Sequence, residues 1–211
     1  MRKYHVYGLG NALVDTEIEV ADKDLNNLGI EKGLMTLVDE ERQHFLIDNL
    51  QDRLTLSKRA CGGSAANTVI SVSQFGGKGY MACKVADDDN GQFYLQDLID
   101  NGVDHSGGPQ LEQGITGKCL VMVTPDAERT MNTFLGANLE LTEDEVEKDE
   151  LAASEWLYME GYLVTDDERT EVAQKTMAFA KEQGIKTSLS LSDPFVVEVF
   201  AQNIAKVIGD G

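Results

Sequence analysis

The chain has 211 residues, of which 42% are hydrophobic and 26% are charged, a composition typical of one globular domain or of one domain with a small appendage. Its 37 acidic residues against 18 Lys and Arg give a formal net charge of −19, which excludes sequence-independent binding to nucleic acid or to an anionic membrane. No apolar run reaches membrane-spanning length, and the three cysteines lack the spacing of a metal or redox site, so the sequence predicts reduced thiols in a cytoplasmic protein.

The first 20 residues predict two strands joined by a glycine-containing turn. Residues 4–10 form a short apolar run, and residues 13–20 alternate as a strand does. A Rossmann dinucleotide turn needs a helix at this point, so that function is rejected. Asn11 and Asp15 flank the turn, and the two oxygens of the Asp15 carboxylate suit a pair of sugar hydroxyls. The alternative, in which Asn11 only supports the turn and Asp15 faces solvent, remains open on these residues.

Four further predicted elements precede the next glycine-rich turn. The hydrophobic pattern predicts a short helix over residues 22–28, a strand over 33–38 and a helix with an acidic first turn over 39–50. A strand beginning at residues 54–57 is predicted to lead into the turn.

The glycine-rich turn itself combines Gly62, Gly63 and Ser64 with a following helix. Apolar residues at helical spacing predict a helix capped by Ser64 and stopped by glycines at 76–77. Paired glycines let a ligand approach the backbone amides at the start of the helix, and Asn67 lies one turn further on. A purely structural turn explains the same residues equally well, so the turn alone does not decide between them.

The second half predicts strands alternating with helices, interrupted by a hairpin. A strand over residues 79–86 and a helix over 92–101 continue the α/β pattern. Residues 114–124 and 128–135 then predict two hairpin strands around a Pro-Asp turn. Arg129 begins the return strand and is one of few cations in an acidic region. It could meet a phosphate, although an exposed ion pair is the commoner role of a surface Arg.

The last 70 residues predict three more helices and two more strands. Capping boxes begin at Thr142 and Thr165, and a proline at 194 follows a capping Asp. The predicted elements are helices over residues 142–153, 165–183 and 193–207 and strands over 156–161 and 185–191.

Together these motifs resemble the ribokinase-like (PfkB) carbohydrate kinases, and most closely their adenosine-kinase-like branch. The resemblance rests on Gly10, Asn11 and Asp15, on residues 62–67, on residues 116–119 with Arg129, and on residues 161–165 and 191–195. It implies that residues 1–211 belong to one ribokinase-like α/β domain, a three-layer α/β/α structure with a mainly parallel sheet. It also implies a small β lid formed by segments near residues 12–38 and 114–136.

The resemblance assigns roles to individual side chains. It implies that Asp15 and Asn67 hold sugar hydroxyls and that Arg129 reaches the transferred phosphate. The predicted substrate-binding set also contains the turn residues Asn11, Gly62, Gly63 and Ser64. An apolar wall for a base or sugar would be formed by Leu13, Met35, Leu37, Phe134 and Leu163.

The implied reaction is phosphoryl transfer from ATP, with Mg²⁺, to a hydroxymethyl group of a nucleoside or sugar. No metal ligand is predicted within these residues, and the exposed edges of the lid are a candidate homodimer surface. The family's catalytic Asp lies in a Gly-Ala-Gly-Asp turn that does not occur in the 211 residues. The resemblance therefore implies the N-terminal portion of such a kinase, with the C-terminal part missing. The alternative function is a non-catalytic module for nucleoside or sugar binding or for dimerisation.

Overall fold

A computed structural model describes residues 2–54, 58–106 and 111–209. The strand start predicted at residues 54–57 lies mostly outside them. In chain order the elements are β1 (Tyr4–Leu9), β2 (Leu13–Glu19), α1 (Asp22–Asn27), β3 (Met35–Leu37), α2 (Glu40–Asn49), α3 (Gln51–Leu54), β4 (Lys58–Gly62), α4 (Ser64–Gln74), β5 (Gly79–Ala82), α5 (Asp89–Asp100), β6 (Val103–His105), β7 (Gly117–Val123), β8 (Arg129–Phe134), α6 (Lys148–Ala152), β9 (Ser154–Met159), α7 (Asp167–Glu182), β10 (Lys186–Leu189), α8 (Pro194–Val199) and α9 (Ala201–Ile208).

The first sheet contains five parallel strands in the order β10-β9-β1-β5-β6. Alternate side chains of its strands enter two separate hydrophobic cores. Leu9 and Leu157 pack in the core that contains residues of α6, α7 and α9. Met81 packs in the other core, with residues of α4 and α5. A mainly parallel sheet between two helical layers confirms the predicted fold class.

The second sheet is mixed, with the strand order β3-β8-β7-β2-β4. One of its faces is covered by α1 and α2, where Ile18, Leu25, Leu46 and Met122 are buried together. The two segments predicted to form a lid supply β2, β3, β7 and β8. The sequence did not predict β4 as part of this sheet, and the role of the sheet as a lid stays a prediction.

Residues 10–12 join the two sheets directly, because β1 belongs to the first sheet and β2 to the second. The buried amide of Asn138 holds this connection at both backbone groups of Ala12. Its Oδ1 accepts from the Ala12 N–H at 2.7 Å, and its Nδ2 donates to the Ala12 carbonyl at 2.8 Å. A side chain from the segment after β8 therefore helps to fix this turn.

The predicted helix over residues 142–153 is wrong in its first half. Thr142 caps only a 3-10 turn, and the backbone then becomes extended before α6 begins at Lys148. Glu145 of this turn points inward and forms a buried ion pair with Lys84 at 2.8 Å. That pairing fits a short turn whose acidic side chain is buried, not a continuous helix with a solvated acidic face.

Two other predicted helices differ in their boundaries. The N-cap of α7 is Asp166, whose carboxylate accepts from the Arg169 N–H at 2.8 Å, while Thr165 lies in a preceding 3-10 turn. The predicted last helix is divided at Phe200 into α8 and α9.

Candidate functional site

A cavity of about 180 Å³ lies between the two sheets and the start of α4. Asn11 follows β1 and Glu160 follows β9, so both project from the carboxyl ends of neighbouring parallel strands. The next strands of this sheet along the chain, β5 and β6, lie on one side of β1, and the last two, β9 and β10, lie on its other side. Ligands of open α/β sheets bind at such a reversal of strand order, which marks this cavity as the candidate site.

Most of the predicted site residues meet at this cavity, together with several that the sequence did not predict. The predicted residues in its wall are Asn11, Leu13, Asp15, Met35, Leu37, Gly63, Ser64, Asn67 and Arg129. The additional wall residues are Cys119, Met131, Thr133, Leu135, Glu160 and Tyr162.

Three predicted residues do not line the cavity. Leu163 is 1% exposed and packs with Val172 in a hydrophobic core, so it forms no part of the wall. Phe134 also lies outside the wall. Gly62 stands behind Asp15, and a Cβ at Gly62 would overlap the Asp15 carboxylate. Gly62 therefore makes room for the carboxylate, without lining the cavity itself.

Asp15 supplies a carboxylate from the inner face of the second sheet. Its position on β2 pairs with Cys119 on β7, beyond which β8 carries Arg129. Burial raises the pKa of Asp15 to about 6, against the opposing charge of Arg129, and nearby Glu17 raises it further. The Asp15 carboxylate is thus partly desolvated and can accept hydrogen bonds from a ligand.

Glu160 supplies a second carboxylate, which is fully buried. Its Oε1 accepts from the Asn11 N–H at 2.9 Å, and its Oε2 accepts from Ser64 Oγ at 3.2 Å and the Ala65 N–H at 3.3 Å. Burial raises the pKa of Glu160, while these hydrogen bonds and the charge of Arg169 oppose the rise.

The position of Glu160 changes the interpretation of the glycine-rich turn. The N-cap of α4 is Gly63, so the prediction that Ser64 caps this helix is wrong. The Ser64 hydroxyl donates to Glu160, and the Ala65 amide does so too. A helix start attracts anions, and here a carboxylate of the protein occupies that place. The turn is therefore not free to hold a phosphate through the Ala65 amide.

Gly63 brings the backbone of the turn close to the end of β1. Its φ is 94°, a conformation that other residues rarely adopt, and an added Cβ would overlap the Asn11 carbonyl oxygen. The group that the missing side chain admits is therefore the Asn11 carbonyl of the protein itself, and the approach of a ligand to these amides stays a prediction.

The rest of the cavity wall is largely apolar. Leu13, Met35, Leu37 and Met131 come from the second sheet, and Tyr162 comes from the turn after β9. Thr133 Oγ1 donates to Cys119 Sγ at 3.3 Å, so these two polar groups satisfy each other. The wall thus combines an apolar region with two carboxylates, which suits a neutral ligand with hydroxyl groups at one end.

A period-2 pattern could have identified some of the missed residues. Met131 and Thr133 alternate with Arg129 along β8 and therefore share its face. Glu160 carries a different signal, since it follows a buried strand of a parallel sheet.

A larger groove of about 860 Å³ runs along another side of α4 and includes Phe75 and Trp156. It is shallow, and its wall lacks the convergent buried carboxylates of the smaller cavity, so the smaller cavity is the better candidate. Across residues 2–54, 58–106 and 111–209, no group of three or more His, Cys, Asp or Glu could hold a metal ion. Within the same ranges no helix is long and apolar enough to cross a membrane.

Solved structures of kinases share this fold. An adenosine kinase from Sinorhizobium meliloti is 35% identical, with a TM-score of 0.89, and the similarity covers 97% of this chain and 62% of that chain. A probable sugar kinase from Rhizobium etli is 33% identical, with a TM-score of 0.90, and the similarity covers 98% of this chain and 62% of that chain. The fold is thus that of sugar and adenosine kinases.

The chain belongs to the pfkB family of carbohydrate kinases, whose family model matches residues 33–210. Guanosine-inosine kinase of Escherichia coli is 22% identical over 91% of this chain and 46% of its own length. Adenosine kinase of Saccharomyces cerevisiae is 28% identical over 95% of this chain and 59% of its own length. The chain therefore spans about half the length of these curated relatives.

Proposed function

We propose that the cavity binds the acceptor of an ATP-dependent kinase, whose reaction transfers a phosphoryl group to a hydroxymethyl group of a nucleoside or sugar. The observation that carries this proposal is the convergence of Asp15, Gly63 and Asn67 on one cavity with an apolar wall. Membership of the pfkB family supports the same chemistry. An adenosine-like nucleoside is the proposed acceptor, because the cavity combines groups for hydroxyls with an apolar region for a base.

The residues of the cavity suggest how such an acceptor would be oriented. The carboxylate of Asp15 would accept hydrogen bonds from two sugar hydroxyls, and Asn67 would contribute a donor or an acceptor. Gly63 lines the cavity and, because it has no side chain, lets the turn lie against the Asn11 carbonyl, which would place its backbone beside the sugar ring. Fixed orientation of the reacting hydroxyl is a large part of catalysis in phosphoryl transfer.

The same residues do not fit the triphosphate of ATP. Asp15 and Glu160 bring two carboxylates, and Arg129 is the one cation among the described residues of the wall. The Ala65 amide is bonded to Glu160 and unavailable to a phosphate. We therefore assign none of these residues to ATP or Mg²⁺, whose use by the whole protein is proposed from its family.

A direct assay tests the proposed function. Adenosine, guanosine, inosine, ribose and fructose would each be titrated calorimetrically, and each would then be incubated with ATP and Mg²⁺ to detect a phosphorylated product. Binding of a nucleoside and its phosphorylation are expected. Binding without product would favour the non-catalytic binding module, and failure of all five compounds to bind would contradict an acceptor site.

The affinity for adenosine is expected to depend on pH through Asp15. The ionised carboxylate accepts two hydrogen bonds, so binding is full above the Asp15 pKa of about 6 and weakens as the pH falls through it. Below the pKa, the dissociation constant should rise up to about tenfold per pH unit. Calorimetric titration between pH 5 and 8 measures this dependence. An Asp15→Asn control should show no midpoint near this value, and a flat wild-type profile would contradict the role of Asp15.

Replacement of Arg129 by Gln should raise the pKa of Asp15 and so weaken acceptor binding near that pKa. Arg129 is exposed, and its charge opposes the rise in the Asp15 pKa. Without it, the midpoint of the pH dependence should move upward. If Arg129 also contacts the transferred phosphate, kcat should fall about 100- to 1,000-fold. An Arg53→Gln control removes another exposed cation, paired with Asp24 at 3.1 Å, and should change neither quantity. An unchanged midpoint and kcat in Arg129→Gln would exclude both roles.

We further propose a cytoplasmic location and a homodimer through the strand edges of the second sheet. The unpaired, buried state of Cys61, Cys83 and Cys119 supports a reducing compartment. β3 and β4 are the outer strands of this sheet and are suited to edge pairing. Sedimentation equilibrium would measure the oligomeric state, and a monomer at all concentrations would contradict the dimer.

A further inference from the structure

The most deeply buried cation of the described chain lies just outside the cavity wall. Arg169 is in the first turn of α7 and is 1% exposed. Burial of a guanidinium costs free energy unless its N–H groups find hydrogen-bond acceptors. Its Nε donates to Asp166, its Nη2 donates to Thr165 Oγ1 at 2.8 Å, and its Nη1 donates to Asn11 Oδ1 at 2.9 Å. The first two partners are local to α7, whereas Asn11 lies 158 residues away in the chain.

The contact with Asn11 continues into the cavity. The backbone N–H of Asn11 donates to Glu160, and the other carboxylate oxygen of Glu160 accepts from the Ala65 N–H and the Ser64 hydroxyl. A continuous series of hydrogen bonds therefore runs from α7 through the end of β1 and the end of β9 to the start of α4. Asp15 faces the same cavity from the second sheet.

The charges of the series also depend on one another. Glu160 is 0% exposed and Arg169 is 1% exposed, so neither charge is hydrated in the ordinary way. The positive charge of Arg169 favours the ionised form of Glu160. Removal of the guanidinium would leave the carboxylate compensated only by neutral donors, and would leave Asn11 Oδ1 without this donor.

We propose that Arg169 is a positioning residue for the acceptor site. It holds Asn11 and, through Asn11, Glu160 and the start of α4 in fixed positions relative to Asp15. This inference rests on the proposed function for its binding readout. A residue that served only to anchor α7 would need its bonds to Asp166 and Thr165, but not the bond to Asn11. The geometry of the guanidinium matters because its planar fork reaches several acceptors at once, which a lysine ammonium on a single flexible stem does not reproduce.

The test compares Arg169→Gln and Arg169→Lys with the wild-type chain and with a Lys84→Gln control. Lys84 forms the other buried ion pair described above, with Glu145, and lies outside the cavity wall. Two quantities would be measured: the dissociation constant for adenosine by calorimetry, and amide hydrogen exchange over residues 10–12 and 63–67. Urea unfolding of each variant would report its stability separately.

Arg169→Gln is expected to weaken adenosine binding roughly 10- to 100-fold, because small displacements of binding groups have effects of this size. Exchange should accelerate over residues 10–12 and 63–67, and Arg169→Lys should recover part of both losses. Lys84→Gln should lower stability without changing either quantity. In a double-mutant cycle, Asn11→Ala and Arg169→Gln should be non-additive in binding free energy, because they act through one contact.

The remaining outcomes distinguish failure of the positioning role of Arg169 from failure of the proposed function. Unchanged adenosine affinity and unchanged exchange over residues 63–67 in folded Arg169→Lys or Arg169→Gln would overturn the inference. If Asp15→Asn abolishes adenosine binding while both Arg169 variants retain it, the proposed function stands and the positioning role fails. If wild-type protein does not bind adenosine, the exchange measurement still decides the positioning role. In that case accelerated exchange confined to residues near α7 would overturn it.

Discussion

Asp15→Asn is expected to raise the dissociation constant for adenosine by roughly 10- to 100-fold, because a hydrogen bond to a charged group contributes about 1.5–3 kcal/mol and each 1.4 kcal/mol is tenfold in affinity. The substitution preserves the shape of the side chain. It exchanges one acceptor oxygen for an NH₂ donor, which cannot accept a hydrogen bond from a sugar hydroxyl.

The fold of the Asp15→Asn variant should remain intact. Burial raises the pKa of Asp15 to about 6, so the ionised carboxylate at neutral pH is disfavoured by its surroundings. A neutral amide of the same size removes this cost, and the free energy of unfolding at pH 7 should be equal or higher. Calorimetry with adenosine and urea unfolding measure the two effects separately. Full adenosine affinity in a folded variant would remove Asp15 from the site.

Gly63→Ala is expected to lower the free energy of unfolding by about 2–4 kcal/mol, since two penalties coincide there. The φ of Gly63 is 94°, which an alanine adopts only with strain, and the new methyl group would overlap the Asn11 carbonyl oxygen. A backbone carbonyl held in β1's connection to β2 cannot rotate aside as a side chain can.

Gly184→Ala provides a matched control for this substitution. Gly184 also has a positive φ, of 64°, but a Cβ there would meet nothing within 4 Å. The control should cost only about 1 kcal/mol, from backbone strain alone. Urea unfolding of both variants gives the difference, and equal losses would show that the contact between Gly63 and Asn11 carries no penalty.

The fold was largely predictable because local patterns mark its strands and helices. Alternating or continuous apolar runs identified β1, β2, β5, β7, β8, β9 and β10. Residues 142–153 were misassigned, because the buried ion pair between Glu145 and Lys84 joins positions 61 residues apart. No local pattern in an acidic segment distinguishes a charge that is buried from one that is solvated.

The cavity was predictable where short motifs carry it, as at Asn11, Asp15, Gly63 and Asn67. Glu160 was missed because a glutamate at the end of a strand is by default exposed. Its burial depends on donors from β1's end and from α4, which only the folded chain brings together. Leu163 was misassigned for a geometric reason. In the 3-10 turn after β9 successive side chains point about a third of a turn apart, so Tyr162 reaches the cavity and Leu163 the core.

A ligand in the cavity would contact parts of both sheets, which meet at the short connection of residues 10–12. Asp15 belongs to the second sheet, whereas Glu160 and the start of α4 belong to the first. A bound molecule that touches both groups would add a contact between the two sheets, which the chain joins at residues 10–12, held by Asn138, and again where β4 leads into α4. A ligand that binds only the folded protein raises the free energy of any unfolding that takes its binding site apart. Saturation of the cavity should therefore slow amide hydrogen exchange in both sheets, although the ligand contacts only a few residues of each.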